Sequence, residues 1–195
     1  MNTEEDFLVD YFSQYMTLSE EEVEIIRGAK LIREYEKNHL LLEEGQVAGE
    51  CYLVLRGCVK RYYVEDGEEK VMEFYTENDP ITPASYVDKK PSRYYLSCVE
   101  PCIISSGTEE KTQEFLRLFP RFLPIFIKIG DGLKAKKQVS VDAFKNLSPE
   151  QRYQRLLATR PDLVNRVPQY MIASYLGIQP ESLSRIRKRL SSGKK

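Results

Sequence analysis

A chain of 195 residues with 42% hydrophobic and 30% charged residues suits one or two packed domains and is too apolar for a disordered tail. The net charge of -1 hides a split: residues 1–144 carry 18 Lys/Arg against 27 Asp/Glu, whereas 145–195 carry 11 against three. A single histidine, His39, excludes a multi-histidine metal centre within one chain, and the four cysteines at 51, 58, 98 and 102 lack both C-x-x-C spacing and iron–sulfur clustering.

The N-terminus, Met-Asn-Thr-Glu-Glu-Asp, is acidic where a secretory signal needs positive charge. No apolar run nears the ~18 residues of a membrane span. A cytoplasmic protein without a membrane partner, metal or cofactor is expected, its cysteines serving as small core filler. Residues 4–37 read as helical, with Ser19 and Glu22 spaced as a capping box. From 40 to about 108 the pattern turns to short strands at 40–42, 52–55, 59–64, 71–75, 94–99 and 102–105. Asp66-Gly67 between two β-rich runs marks a tight hairpin. Such spacing implies a sandwich or barrel of jelly-roll type. A helix is predicted at 109–118, and Pro124 suits the first turn of a longer one. There Phe122, Ile125, Phe126, Ile129 and Leu133 repeat at threes and fours, an apolar stripe for the parent domain, for a second copy, or for both. Gly130 and Gly132 permit close backbone approach.

Three helical pieces follow in the basic segment. Ser148, Pro149 and Gln151 form a second capping box, Pro161 breaks the chain, Pro168 opens 169–176, and Pro180 opens 181–190. Two short helices thus meet at Gly177, over Ile172, Leu176, Ile178, Leu183 and Ile186, with the small Ala173 where they cross. On the last helix Glu181, Ser182, Arg185, Lys188 and Arg189 step i, i+1, i+4, i+7, i+8 and share one face. A face of short polar and basic groups suits the DNA major groove. The plain alternatives are a solvated basic surface or an αα-corner packed in a core.

The 169–188 segment matches the helix-turn-helix template at all seven diagnostic places. With Leu42-Glu43-Glu44-Gly45, the run from Tyr52 through Lys60, the Pro91-Ser92-Arg93 turn and the long helix, the chain resembles the Crp/Fnr superfamily of bacterial transcription regulators. The resemblance implies an α+β fold: an N-terminal jelly roll of cyclic-nucleotide-binding type (1–118), a dimerisation helix and hinge (119–147) and a helix-turn-helix DNA-binding domain (148–195). It implies a homodimer on double-stranded DNA, with RNA polymerase as a candidate partner, an unknown small-molecule effector and no enzymatic role. Glu181 and Arg185 are then the base readers. Lys188, Arg189, Lys194 and Lys195, with Gln169 and Ser182, are the backbone contacts. Departures matter as much. At the places of the family's ribose-binding Gly-Glu pair stand Thr82 and Pro83, followed by Ala84 and Ser85; Arg93 is kept, but Tyr94 follows where a small hydroxyl residue belongs. Loss of the carboxylate and crowding by the phenol argue against cyclic AMP, and Arg93 is expected to hold a carboxylate of its own chain. No β-hairpin wing of the family's kind is expected within residues 191–195. Two other classes stay open: a ligand sensor whose C-terminal module docks protein, and a cupin-type enzyme, which normally needs several histidines.

Overall fold

The computed structural model describes residues 6–192. Helices α1 (Asp6–Ser13) and α2 (Glu20–Gly28) precede strands β1 (Ile32–Tyr35), β2 (Leu40–Leu42), β3 (Cys51–Arg56), β4 (Val59–Glu65), β5 (Glu68–Tyr75) and β6 (Pro80–Ile81). Then come α3 (Ala84–Asp88), β7 (Tyr95–Cys98), β8 (Cys102–Gly107) and α4 (Glu109–Leu118). A 3-10 turn at Pro120–Phe122 leads into α5 (Leu123–Asn146), and α6 (Pro149–Thr159), α7 (Pro161–Arg166), α8 (Gln169–Tyr175) and α9 (Pro180–Ser192) complete the chain. No helix among the described residues is long and apolar enough to cross a membrane.

The strands form two four-stranded sheets, ordered β1-β8-β3-β6 and β2-β7-β4-β5. Between them lies a core of Tyr52, Val54, Val59, Ile81, Leu96, Cys98 and Ile104, all buried. The expected hairpin is present: Asp66 (φ 52) and Gly67 (φ 77) both take the positive φ of a type I′ turn. The two capping boxes are also made, by Ser19 with Glu22 and by Ser148 with Gln151. Cys58, Cys98 and Cys102 are buried thiols.

Three local expectations give way. The predicted helix over 4–37 stops at Gly28, and Ile32–Tyr35 instead pairs antiparallel with β8 as an edge strand. Pro161, read as a break, occupies the first position of α7, where its missing N–H has no partner to lose. The basic segment accordingly holds four helices, α6 to α9. The short elements β6 and α3 gave no periodic signal at all.

The chain divides into two compact units, one of residues 1–62 with 74–125, the other of 63–73 with 126–195. In the first, Phe122 is fully buried among Phe12, Phe115 and Phe119, with ring centroids 4.8–6.3 Å away. Glu22, only 5% exposed in its side chain, closes its capping box and also accepts from the Arg121 guanidinium at 2.8 Å and 3.0 Å. In the second unit the tip of the β4–β5 hairpin groups with the C-terminal helices.

Candidate nucleic-acid interface and ligand pocket

The corner between α8 and α9 is built by backbone geometry. Gly177 N–H donates to Ser174 O (2.9 Å) and Ile178 N–H to Ala173 O (3.0 Å), the paired bonds of a Schellman motif, with Gly177 at φ 67. Ala173 and Ile172 are fully buried, Leu176, Leu183 and Ile186 nearly so, and Ile178 half-buried. A Cβ on Gly177 would stand 3.2 Å from the Phe144 ring. Gly177→Ala therefore meets both a left-handed backbone penalty and a tight contact. It should cost about 1–2 kcal/mol, lowering Tm by roughly 2–8 °C in a melt. An unchanged melt would contradict this account of the turn. Phe144 is itself held: the Arg152 guanidinium lies 4.7 Å over its ring and donates to the Phe144 and Leu147 carbonyls, which α5 leaves open at its C-terminus.

With its apolar side committed to α8, helix α9 turns Glu181, Arg185, Lys188 and Arg189 to solvent, with Ser182 half-buried. Arg185 donates to Ser182 Oγ at 3.2 Å and has no ion pair among the described residues. Arg189 is instead paired with Glu150 of α6. One hollow borders Ser182, Arg185, Arg189, Glu150 and Ile178; a second borders Gln169, Pro180, Leu183 and Lys188. Gln169 is half-buried, and its side-chain oxygen is shielded from water without a partner. Lys194 and Lys195 lie outside the described residues. Glu150 was not singled out in the sequence, because nothing local marks a pair 39 residues apart.

A second contact is equally silent in sequence. Ser174, on α8, accepts from Val71 N–H at 2.9 Å and donates to Glu69 O at 3.2 Å, so its hydroxyl holds the tip of the β4–β5 hairpin. Burial pushes the neighbouring Tyr175 phenol upward, with the charge of Glu73 adding to it.

Around residues 82–94 several polar groups are hydrogen-bonded within the chain. The Tyr94 hydroxyl accepts from Ala84 N–H at 2.9 Å, taking a donor at the start of α3. The Ser85 hydroxyl, buried at 2% exposure, accepts from Ala48 N–H at 3.2 Å. Pro83 is fully buried, whereas Thr82 and Ala84 are exposed. Arg93 is exposed and, contrary to expectation, has no carboxylate partner among the described residues. A different arginine faces inward. The register pairs Arg61 with Leu96 and Val59 with Cys98, so Arg61 lies in the core-facing row. Its Nε is shielded from solvent without a hydrogen-bond partner, and its guanidinium lies 5.5 Å from the Tyr94 ring centroid. The break it makes in an apolar alternation is the sequence signal that could have found it.

The apolar stripe around the start of α5 is taken up unevenly by its own chain. Phe122 and Ile125 are buried, at 0% and 8% exposure. Phe126, Ile129 and Leu133 are half-buried, while Leu123 and Ile127 are exposed at 49% and 56%. On a helical wheel Leu123, Phe126, Ile127, Leu133 and Val141 surround Gly130, where nothing stands within 4 Å of a Cβ position. Among the described residues no cluster of His, Cys, Asp or Glu is placed to hold a metal.

Comparison with known proteins agrees with this architecture. The cyclic nucleotide-binding domain family matches residues 32–118. No curated protein sequence matches the chain. Among solved structures, FixK2 from Bradyrhizobium japonicum superposes with a TM-score of 0.67 at 16% identity, covering 83% of this chain and 84% of that one. CLP from Xanthomonas campestris, a c-di-GMP responsive global regulator, gives 0.64 at 20% identity over 83% and 86% of the two chains. A CooA mutant from Carboxydothermus hydrogenoformans gives 0.63 at 17% identity over 83% and 76%. Residues 32–118 thus match the cyclic nucleotide-binding domain family, within a chain that shares its fold with FixK2, CLP and CooA.

Proposed function

We propose that the chain is a homodimeric, sequence-specific DNA-binding transcription regulator, working in the cytoplasm. Residues 1–118 would serve as the sensor, 119–147 as the dimerising helix and hinge, and 148–195 as the DNA reader. The observation that carries this reading is α9, whose apolar side is sealed against α8 while Glu181, Arg185 and Lys188 stand in solvent. In the major groove Arg185 donates to a guanine edge, and Glu181 accepts from cytosine or orients the arginine. Lys188, with Gln169 and Ser182, meets phosphates. Two copies related by a twofold axis place their α9 helices about 34 Å apart on a pseudo-palindrome. Dimerisation runs through the Leu123–Ile127–Leu133 side of α5, and RNA polymerase is a candidate partner of the bound dimer.

Binding of the full chain to duplex DNA across a salt series tests this reading. Log K should fall linearly with log[salt], at a slope of about -0.9 per phosphate contact. A module that docks protein would bind no duplex at low salt, and that result would defeat the proposal.

In this reading cyclic AMP is not the effector: Tyr94 occupies the donor at α3 and Pro83 supplies no carboxylate. A ligand at 100 times its Kd adds about 2.7 kcal/mol to stability, a rise of roughly 5–10 °C for a chain of this length. Millimolar cyclic AMP should leave Tm unchanged; a rise on that scale would restore it as an effector.

A further inference from the structure

We propose that Glu150 is a specificity-determining residue of the DNA reader: its carboxylate holds Arg189 away from the phosphate backbone and weakens binding to DNA that lacks the cognate bases. The inference rests on α9 being the groove-facing helix. Glu150 belongs to the first turn of α6, next to the Ser148–Gln151 capping box, so its backbone is fixed by the N-terminus of a capped helix. Arg189 extends from α9 on a long flexible stem, and its Nη2 donates to Glu150 Oε2. The Glu150 side chain is 31% exposed and that of Arg189 64%, so the acid is the anchored member and the arginine the one that can swing out.

The same hollow gathers Ser182 and Arg185, which places this carboxylate on the reading side of the module. Only three acids occur in residues 145–195. Of these, Asp162 lies near Arg160 and Arg166, at 3.8 Å and 4.0 Å, and Glu181 stands on the reading face itself. Glu150 instead neutralises a cation of that face. An exposed ion pair is weak enough to open when a well-placed phosphate arrives. Non-specific binding draws essentially all its affinity from phosphate contacts, whereas cognate binding adds base contacts. Base contacts hold the cognate complex in a register that brings such a phosphate to Arg189, whereas other DNA is held in none, so the withheld cation costs the wrong complex more than the right one. This is discrimination by a penalty on the competitor.

The test compares full-length wild type, Glu150→Gln, Arg189→Gln and the double variant. Each is titrated by fluorescence anisotropy over a salt series with two duplexes: one recovered by selection from random DNA and its scrambled counterpart. Glu150→Gln should bind the scrambled duplex about three- to tenfold tighter and steepen its salt slope by about 0.9, one further phosphate contact. The selected duplex should gain less, so the ratio between the two falls. With Arg189→Gln already present, Glu150→Gln should change scrambled binding by about twofold or less. An unchanged slope, or weaker binding to both duplexes at an unchanged Tm, would overturn the proposal. If Glu150→Gln fails to fold, Arg189→Gln carries the test. A cation already withheld is missed by less than about twofold on scrambled DNA, and a tenfold loss would refute the withholding. Wild type that binds neither duplex would defeat the DNA reading itself, an outcome distinct from equal binding by wild type and Glu150→Gln.

Discussion

Arg185→Ala should weaken binding to the selected operator by roughly 5- to 150-fold, the equivalent of about 1–3 kcal/mol, and relax the preference at one base position. Arg185 is exposed on α9, with only the Ser182 hydroxyl as a partner among the described residues. Its five donors are therefore available to the two acceptors of a guanine edge. Lys188→Ala provides the contrast. It should weaken every duplex alike and lessen the salt slope by about one, because a phosphate contact carries no base information. Equal losses for Arg185→Ala on cognate and scrambled duplexes would remove Arg185 from the base readers.

The second large effect concerns the proposed dimer. Ile127→Asp should convert the chain to a monomer, as read by light scattering during gel filtration. Ile127 is 56% exposed beside Leu123 at 49%, and Gly130 leaves room for a second backbone. Burying such a side chain contributes about 1.5–3 kcal/mol, counted once per copy. A twofold interface also brings the two aspartates into the same apolar seam, where unpaired carboxylates are costly. Without the link between half-sites, avidity on the operator should fall by roughly 100-fold or more. A dimeric Ile127→Asp with full operator affinity would exclude this seam.

What was legible in the sequence was local. The Ser19 and Ser148 capping boxes, the Asp66-Gly67 turn and the Gly177 corner are each decided within a few residues, and each formed as expected. Where chemistry depends on distant partners, no local pattern marks it. Ile32–Tyr35 became a strand because β8 offers it an edge about 70 residues away. The α5 stripe could be counted, but spacing cannot say which apolar side the parent fold consumes; it takes Phe122 and Ile125. The candidate site divides in the same way. The outward face of α9 follows from helical geometry, while the Glu150–Arg189 pair, the Ser174 grip on the hairpin and the Tyr94 hydroxyl on Ala84 all cross between separate elements.

Binding-site selection from random duplexes, with and without small-molecule metabolites, decides whether paired α9 helices read DNA. Recovery of a two-fold symmetric sequence is expected, with half-site centres about 34 Å, one helical turn, apart. Failure to enrich any sequence under either condition, or enrichment of a single asymmetric half-site by a protein shown to be dimeric, would contradict it.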